Sequence, residues 1–215
     1  MTETSDGANE PVDVPDRDEV LDASTDGESV VPDWDDEYVD RVSDRLLVNY
    51  DLEKDVRIGG EWFELYGRLV MENHKQFFHP ALNYANHDAE EHLFGTRVDA
   101  VGVPDIKRLV DLGHALADEW ITPSERHFGT EFTFAVVAPS IPDAVSEFVD
   151  GFRDRTLLKF GYHGKYEINL VVVAPAEQAV VASQNADVQR AFALWQSPQQ
   201  ERDGLLRRVA RRLRS

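Results

Sequence analysis

The sequence predicts an α+β domain, in which a mixed sheet built from two hairpins and additional strands carries packed helices. First, Gly59-Gly60 separates two alternating segments, Leu52–Ile58 and Glu61–Glu72, and a glycine pair supplies the two positive φ angles of a type I′ turn. Second, the apolar run Phe132–Ala138 is typical of a buried strand. Third, this run lies between two segments of helical periodicity, which are expected to cover the sheet.

The remaining elements follow from local signals along the chain. Asp33 is expected to cap the first helix, and Pro104 and Pro142 are expected to open two later ones. In the predicted strand 166–174, Glu167 and Asn169 alternate with apolar residues and are expected to face solvent. The other predicted elements are a polar irregular segment at 73–91, a strand at 94–101, a second hairpin at 157–174 and helices at 188–195 and 200–213.

Charge divides the 215 residues into three zones. Residues 1–32 hold ten acids against one arginine and have no aromatic residue, so we expect a disordered acidic tail. Residues 33–200 are expected to form the single mixed α/β domain. Residues 201–215 hold six arginines against two acids and are expected to form a basic amphipathic helix.

The composition favours a salt-adapted protein. The net charge is −19, and only five of the 22 basic residues are lysine. In molar salt the screening length falls to roughly 3 Å, which removes most of the self-repulsion of so acidic a surface. There is no cysteine, which excludes disulfides and thiolate chemistry, and the first residues lack the pattern of a signal peptide. We therefore expect a cytoplasmic protein.

Histidines and carboxylates are concentrated between residues 72 and 92. Imidazole and carboxylate groups are good ligands for zinc and similar divalent ions. The segment lacks a known metal-binding signature, so a solvated polar loop is the competing interpretation. The candidate residues for a metal site or polar cluster are Glu72, His74, His79, His87, Glu91 and His92.

The predicted order of helix, three strands, helix and strand resembles the core of the PD-(D/E)XK restriction-endonuclease-like fold. That resemblance implies metal-dependent hydrolysis of a phosphodiester, with an acidic residue on one strand and Glu-x-Lys on the next. The sequence departs from this pattern, because Lys75 follows Glu72 one position too late and the strand at 94–101 offers only Asp99.

The basic C-terminal segment is the third candidate feature. A helix would place four arginines on one side and leucines on another, which is suited to docking on a protein partner. Nucleic acid, an anionic membrane surface and packing against the acidic body of the chain are the alternatives. The candidate partner-binding residues are Arg207, Arg208, Arg211 and Arg212.

Residues 44–138, which include GGEWFELYGRLVMENHK and HPALNYANHDAEEHLFGTRV, resemble an uncharacterised protein family of haloarchaea. No activity and no functional residue follow from this resemblance. The residues themselves favour a non-enzymatic binding or regulatory domain, because no sharp catalytic motif is present. The alternative is a metal-dependent hydrolase, nuclease-like if the fold resemblance holds, that uses a divalent metal held by the histidine-rich segment.

Overall fold

A computed structural model describes residues 32–73 and 87–196. Apart from Pro32, the predicted acidic tail lies outside these residues, as does the predicted helix at 201–215. None of the helices in the described part is long and apolar enough to cross a membrane. The elements, in chain order, are α1 (Glu37–Leu46), β1 (Asp51–Ile58), β2 (Glu61–Asn73), β3 (His87–Arg97), α2 (Val103–Trp120), β4 (His127–Val137), α3 (Asp143–Asp150), β5 (Asp154–Leu157), β6 (Lys165–Ala174), β7 (Ala179–Ala182) and α4 (Gln189–Phe192).

The described strands form one mixed sheet of seven, in the order β1-β2-β3-β4-β6-β5, with β7 also paired to β6. β1, β2 and β3 form an antiparallel meander, whereas β3, β4 and β6 run parallel to one another. Parallel neighbours need a crossover connection, and α2 supplies the one between β3 and β4. The predicted α+β class, with a mixed sheet and helices on it, is confirmed.

Helices cover both faces of the sheet and create two cores. On the face that carries α2 and α3, here called the α2 face, aromatic residues of β3 and β4 pack against both helices. On the other, here called the α1 face, Leu93 and Val137 pack with Val42 of α1 and Phe192 of α4. Since β4 and β6 are apolar on both sides over much of their length, they read as continuous buried runs.

The first hairpin forms as its sequence predicts. Gly59 and Gly60 have φ angles of 58° and 86°, which a two-residue turn of this kind requires. α2 also begins within one residue of Pro104, the residue predicted to open it. α1 begins later than predicted, because Asp36 rather than Asp33 caps it by accepting a hydrogen bond from the Val39 amide at 2.9 Å.

The irregular segment predicted at 73–91 is wrong at its C-terminal end, where residues 87–91 belong to β3. This strand ends at Arg97, four residues before the predicted end. Its polar first half is held as a strand by ladders on both sides, antiparallel with β2 and parallel with β4. Backbone pairing with β2 and β4 therefore stabilises a strand here, although the strand propensity of this segment is weak.

The second hairpin is shorter than predicted. Residues 158–162 are a tight turn and not a strand, because Lys159 and Phe160 adopt left-handed φ angles of 47° and 58°. β7 was not predicted, and the helix predicted at 188–195 is reduced to the four residues of α4.

The expectation that Glu167 and Asn169 face solvent is wrong. Their exposed fractions are 2 % and 3 %. Alternation predicts a wet side only for a strand with one open face, whereas β6 lies inside the sheet with both faces covered. These two residues thus bring polar groups into the interior of the α1 face, where they need partners.

Candidate functional site

Three glutamates lie side by side on the α1 face, at the same level of three adjacent strands. Glu91 on β3 is opposite Glu131 on β4, and Glu131 is opposite Glu167 on β6. We call these three residues the glutamate row. The level continues on both sides, with Leu69 of β2 beside Glu91 and Arg155 of β5 beside Glu167.

The register of the parallel strands creates this arrangement. Neighbouring strands lie about 5 Å apart, so side chains at the same level on one face come into contact. Like charges in that position repel each other and destabilise the sheet unless they are compensated. The partners of each carboxylate therefore decide what the row can do.

Glu167 is fully compensated. It accepts hydrogen bonds from Arg155 Nε at 2.7 Å and from Asn185 Nδ2 at 2.8 Å, and its Oε1 also contacts Lys165 Nζ. Burial alone would raise the pKa of Glu167, but the hydrogen bonds from Lys165, Arg155 and Asn185 together hold this pKa below its usual value. This member of the row is a structural ion pair.

Glu131, in the middle of the row, is not compensated in this way. Its hydrogen-bond partner is the Asn169 amide, at 3.2 Å from Nδ2 to Oε2. Burial, and then the charges of Glu91 and Glu167, raise the pKa of Glu131 to about 7, although Lys165 and the Asn169 hydrogen bond oppose that rise. A carboxyl group poised near neutrality is typical of a functional site.

Glu91 accepts a hydrogen bond from the Tyr50 hydroxyl at 2.6 Å. Burial and this hydrogen bond raise the pKa of Tyr50 well above its ordinary value, so the hydroxyl keeps its proton and remains a donor. Among the described residues, no arginine, lysine or histidine forms an ion pair with Glu91 or Glu131. In the part of the chain that the structure describes, two of the three carboxylates thus have no cation in ion-pair contact.

The row lies at the edge of the part of the α1 face that α1 and α4 cover. Tyr50 follows α1, and Asn185 precedes α4, so these two residues border the row on its two sides. The next level outward holds Met71, Ala89, Gly129, Lys165 and Leu157, of which Met71 and Leu157 are largely exposed. We call this outer level, together with the glutamate row, the lower α1 face.

The predicted metal site is not assembled by the residues that can be described. Glu91 and His92 are adjacent on β3, so their side chains project to opposite faces of the sheet. Within residues 32–73 and 87–196, no three His, Cys, Asp or Glu side chains converge as metal ligands. Glu72 pairs with Asp88 and His87 with Asn73 in the backbone ladder between β2 and β3. His74, His79 and the four C-terminal arginines lie outside the described residues.

His92 is a buried residue of the α2 face. Its Nδ1 lies 2.8 Å from the Tyr66 hydroxyl, and its ring stacks on Phe132 at 5.4 Å and meets the edge of Trp120 at 5.0 Å. Burial lowers the pKa of His92, against the opposing influence of Glu90. The surroundings are those of a satisfied core histidine, with aromatic neighbours on several sides.

A second histidine on this face makes a comparable chain of contacts. His114 of α2 has Nδ1 at 2.9 Å from the Tyr166 hydroxyl and Nε2 at 3.1 Å from Asp154. The sequence could not show this trio, since its members come from α2, β5 and β6 and meet only in the folded sheet. It ties the helix to the sheet edge.

Two further surface features, an exposed apolar turn and an open cleft, were not predicted from the sequence. Leu157, Phe160 and Tyr162 are exposed around the β5–β6 turn, and Phe160 is 96 % exposed. At the carboxyl ends of β3, β4 and β6, an open cleft of about 580 Å³ holds Arg41 and Arg97. Arg97 forms an ion pair with Asp36 at 2.7 Å, and the three acidic residues that line the cleft outnumber its two arginines, so the cleft is not a basic site.

A family model described as "Domain of unknown function (DUF8052)" matches residues 35–194. The chain belongs to this family. No curated protein and no solved structure shows significant similarity to it. The resemblance to the PD-(D/E)XK nuclease-like fold, which the order of the elements suggests, accordingly stays a prediction.

The matched range of the DUF8052 domain runs from just before α1 to just after α4. It includes the whole glutamate row together with Tyr50, Asn169 and Asn185. Of the predicted site residues, the sequence singled out Glu91 but not Glu131 or Glu167. These three are 40 and 36 positions apart, and only the register of β3, β4 and β6 brings them together.

Proposed function

We propose that this domain is a non-enzymatic binding module, and that its lower α1 face takes an arginine-rich segment of a protein partner. The observation that carries the proposal is the pair Glu91 and Glu131. Both carboxylates are partly buried at the edge of a covered surface, and both have neutral hydrogen-bond partners in place of cations.

A guanidinium group is the ligand that this geometry favours. Arginine presents a planar fork of donors that matches one carboxylate or bridges two, and it is more weakly hydrated than a lysine ammonium. Glu91 and Glu131 lie on strands about 5 Å apart, which is the span of such a bridge. Binding would also relieve the repulsion between them, so the same contact stabilises the fold.

Apolar side chains beside the row support a peptide in place of a free ion. Leu69 lies at the level of Glu91, and Met71 lies one level outward with an exposed fraction of 39 %. Long basic side chains can lay their methylene stems along such a surface while the charged head reaches the carboxylates. Methionine in particular adapts its shape to different partners.

The charge of this surface argues against the other partner classes. Phosphate groups of nucleic acids and anionic lipids would meet uncompensated carboxylates here. The hydrolase alternative draws no support from the described residues, because Glu91 and His92 lie on opposite faces and no three ligands converge.

A peptide titration tests the proposal. A fluorescent peptide of alternating Arg and Ala, added to the full-length protein at low and at molar salt, should bind more tightly than its Lys counterpart. Changing both Glu91→Gln and Glu131→Gln should weaken binding at least tenfold. The matched control changes Glu119→Gln and Glu147→Gln, two exposed glutamates on α2 and α3, which alters the formal net charge by the same amount.

If the control variant loses as much affinity as the row variant, the attraction is general and the proposed site is wrong. Equal affinity for the Arg and Lys peptides would also count against the forked contact on which the proposal depends. Circular dichroism of each variant checks that the fold is unchanged before the affinities are compared.

A further inference from the structure

The chain itself contains a segment with the chemistry that the lower α1 face favours. In a protein of net charge −19, residues 201–215 hold six arginines against Glu201 and Asp203, for a net charge of +4. Leu205, Leu206, Val209 and Leu213 are interspersed with these arginines, so a helix over this segment would have an apolar side as well as a basic one. Both properties match a surface that combines Leu69 and Met71 with two carboxylates whose hydrogen-bond partners, among the described residues, are neutral.

The described chain enters this segment from the α1 face. α4 is held on α1 by the Tyr38 hydroxyl, which donates to the Phe192 carbonyl at 2.6 Å, and by Arg45, which donates to the Arg190 carbonyl at 3.0 Å. Leu194 and Trp195 pack against the core of the same face. The last described residue, Gln196, therefore leaves from the face that carries the glutamate row.

The chain that follows Gln196 is long enough to reach the glutamate row. From Leu194, near the carboxyl ends of β4 and β6, to the glutamate row is about six residues of strand, or roughly 20 Å. Arg207 lies eleven positions after Gln196, and a chain of that length can span up to about 36 Å when extended. The tether is thus long enough to deliver its arginines without strain.

We infer that residues 201–215 dock in cis on the lower α1 face, with arginines of the set Arg207, Arg208, Arg211 and Arg212 against Glu91 and Glu131. The inference rests on the proposed function and adds its regulation. A basic partner must displace the chain's own segment, so the module is self-inhibited. Because a short tether gives an effective concentration in the millimolar range, even a weak contact keeps the surface occupied.

The absence of cysteine in the chain permits a direct test. A nitroxide label on Ser215→Cys, in the full-length protein, should broaden the amide resonances of Leu69, Ala89 and Gly129 on the lower α1 face. The amides of Arg108 and Asp111, on the outer side of α2, should stay sharp. Adding Glu91→Gln and Glu131→Gln to the labelled chain should restore the broadened signals, whereas Glu119→Gln with Glu147→Gln should not.

Broadening spread over both faces, or absent from both, would overturn the inference. A mixture of labelled unenriched protein with unlabelled isotope-enriched protein separates cis from trans docking. If the broadening of the lower α1 face persists in the mixture, a second copy supplies the segment and docking in cis is wrong.

A second experiment separates failure of this inference from failure of the proposed function. The full-length chain with Arg207, Arg208, Arg211 and Arg212 all changed to Gln, here called the tail variant, should bind the arginine peptide at least tenfold more tightly than the parent chain. Equal binding by both proteins overturns the inference and leaves the proposed function standing. If neither protein binds the peptide, the proposed function falls and the inference with it.

Discussion

Among individual residues, Glu131 is one whose surroundings disfavour a charged side chain. It is a partly buried carboxylate with a carboxylate on each side, and its described hydrogen-bond partner is a neutral amide. Each of these features makes ionisation costly, and a neighbouring cation would remove the cost. The ionisation of Glu131 is therefore expected to affect both the stability of the fold and the binding of a cation.

Glu131→Gln, introduced in the tail variant, should stabilise the protein above neutral pH. The folded-state pKa of about 7 is higher than the ordinary glutamate pKa of 4.5, so the folded state binds more protons than the unfolded state between these values. The stability due to the protonated carboxyl is complete below pH 4.5 and is lost as the pH rises through 7. We expect a gain of at most about 3 kcal/mol at pH 8 and none at pH 4.

Urea denaturation at a series of pH values measures this difference. The control is Glu119→Gln on the exposed side of α2, which should leave the pH dependence unchanged. A Glu131→Gln variant that is less stable than its parent at pH 8 would show that the ionised carboxylate is satisfied by a partner after all.

Individual residues also show what the sequence could predict of the site. Glu91 could be singled out, because it lies in a dense polar segment. The rest of the site could not be predicted. Tyr50, which donates to Glu91, and Glu131 with its own partner Asn169 come from three other parts of the chain and meet only in the folded sheet. The proximity of Glu91 to His92 in sequence was misleading, because consecutive residues of a strand point to opposite faces.

At the scale of elements, the two hairpins had different outcomes for a physical reason. Gly59-Gly60 is an explicit turn signal, and the flanking strands are long enough to be recognised by alternation. The β5–β6 connection carries no such signal at its centre, where Lys159 and Phe160 hold left-handed angles that their side chains disfavour. The tertiary context imposes this turn, so local propensity could not predict it.

Phe160→Gly should stabilise the β5–β6 turn. Phe160 has φ of 58° and is almost entirely exposed, so glycine removes backbone strain and gives up almost no burial. We expect a gain of about 0.5–1 kcal/mol in the free energy of unfolding, measured by urea denaturation.

The opposite change at the other end of the turn is the control. Gly164 has φ of 77°, and a Cβ there would collide with the carbonyl oxygen of Phe128, so Gly164→Ala should destabilise the protein. If Phe160→Gly is destabilising instead, the side chain of Phe160 packs on something, and the turn is not the strained feature described here.

The two halves of strand β3 differ in how far they could be predicted. Its apolar end, around Leu93 and Phe94, could be predicted, whereas its first residues read as a loop. Their strand conformation depends on β2 and β4, which pair with them from both sides. Local composition does not predict secondary structure that depends on pairing with neighbouring strands.

At the scale of the whole molecule, the acidic surface makes stability depend on salt. With a net charge of −19, self-repulsion opposes the compact state, and added salt screens it. We expect the melting temperature of the full-length protein to rise between 0.1 M and 2 M KCl, with most of the rise at the lower concentrations.

Differential scanning calorimetry in KCl measures this rise. Repeating the scans in a series of sodium sulfate concentrations distinguishes screening from the general stabilising effect of excluded salts, which continues to grow at high concentration. A melting temperature that is flat below 1 M KCl would contradict the expected role of the acidic surface.

The pKa of Glu131, measured with and without the arginine peptide, shows whether arginine side chains bind at the glutamate row. It can be followed by carbon NMR of the side-chain carboxyl in the tail variant. The account predicts a value near 7 in the free protein and a fall of at least one unit when the peptide binds, because a guanidinium at the row favours the charged form. Peptide binding that leaves this pKa unchanged would place the ligand elsewhere and contradict the claim.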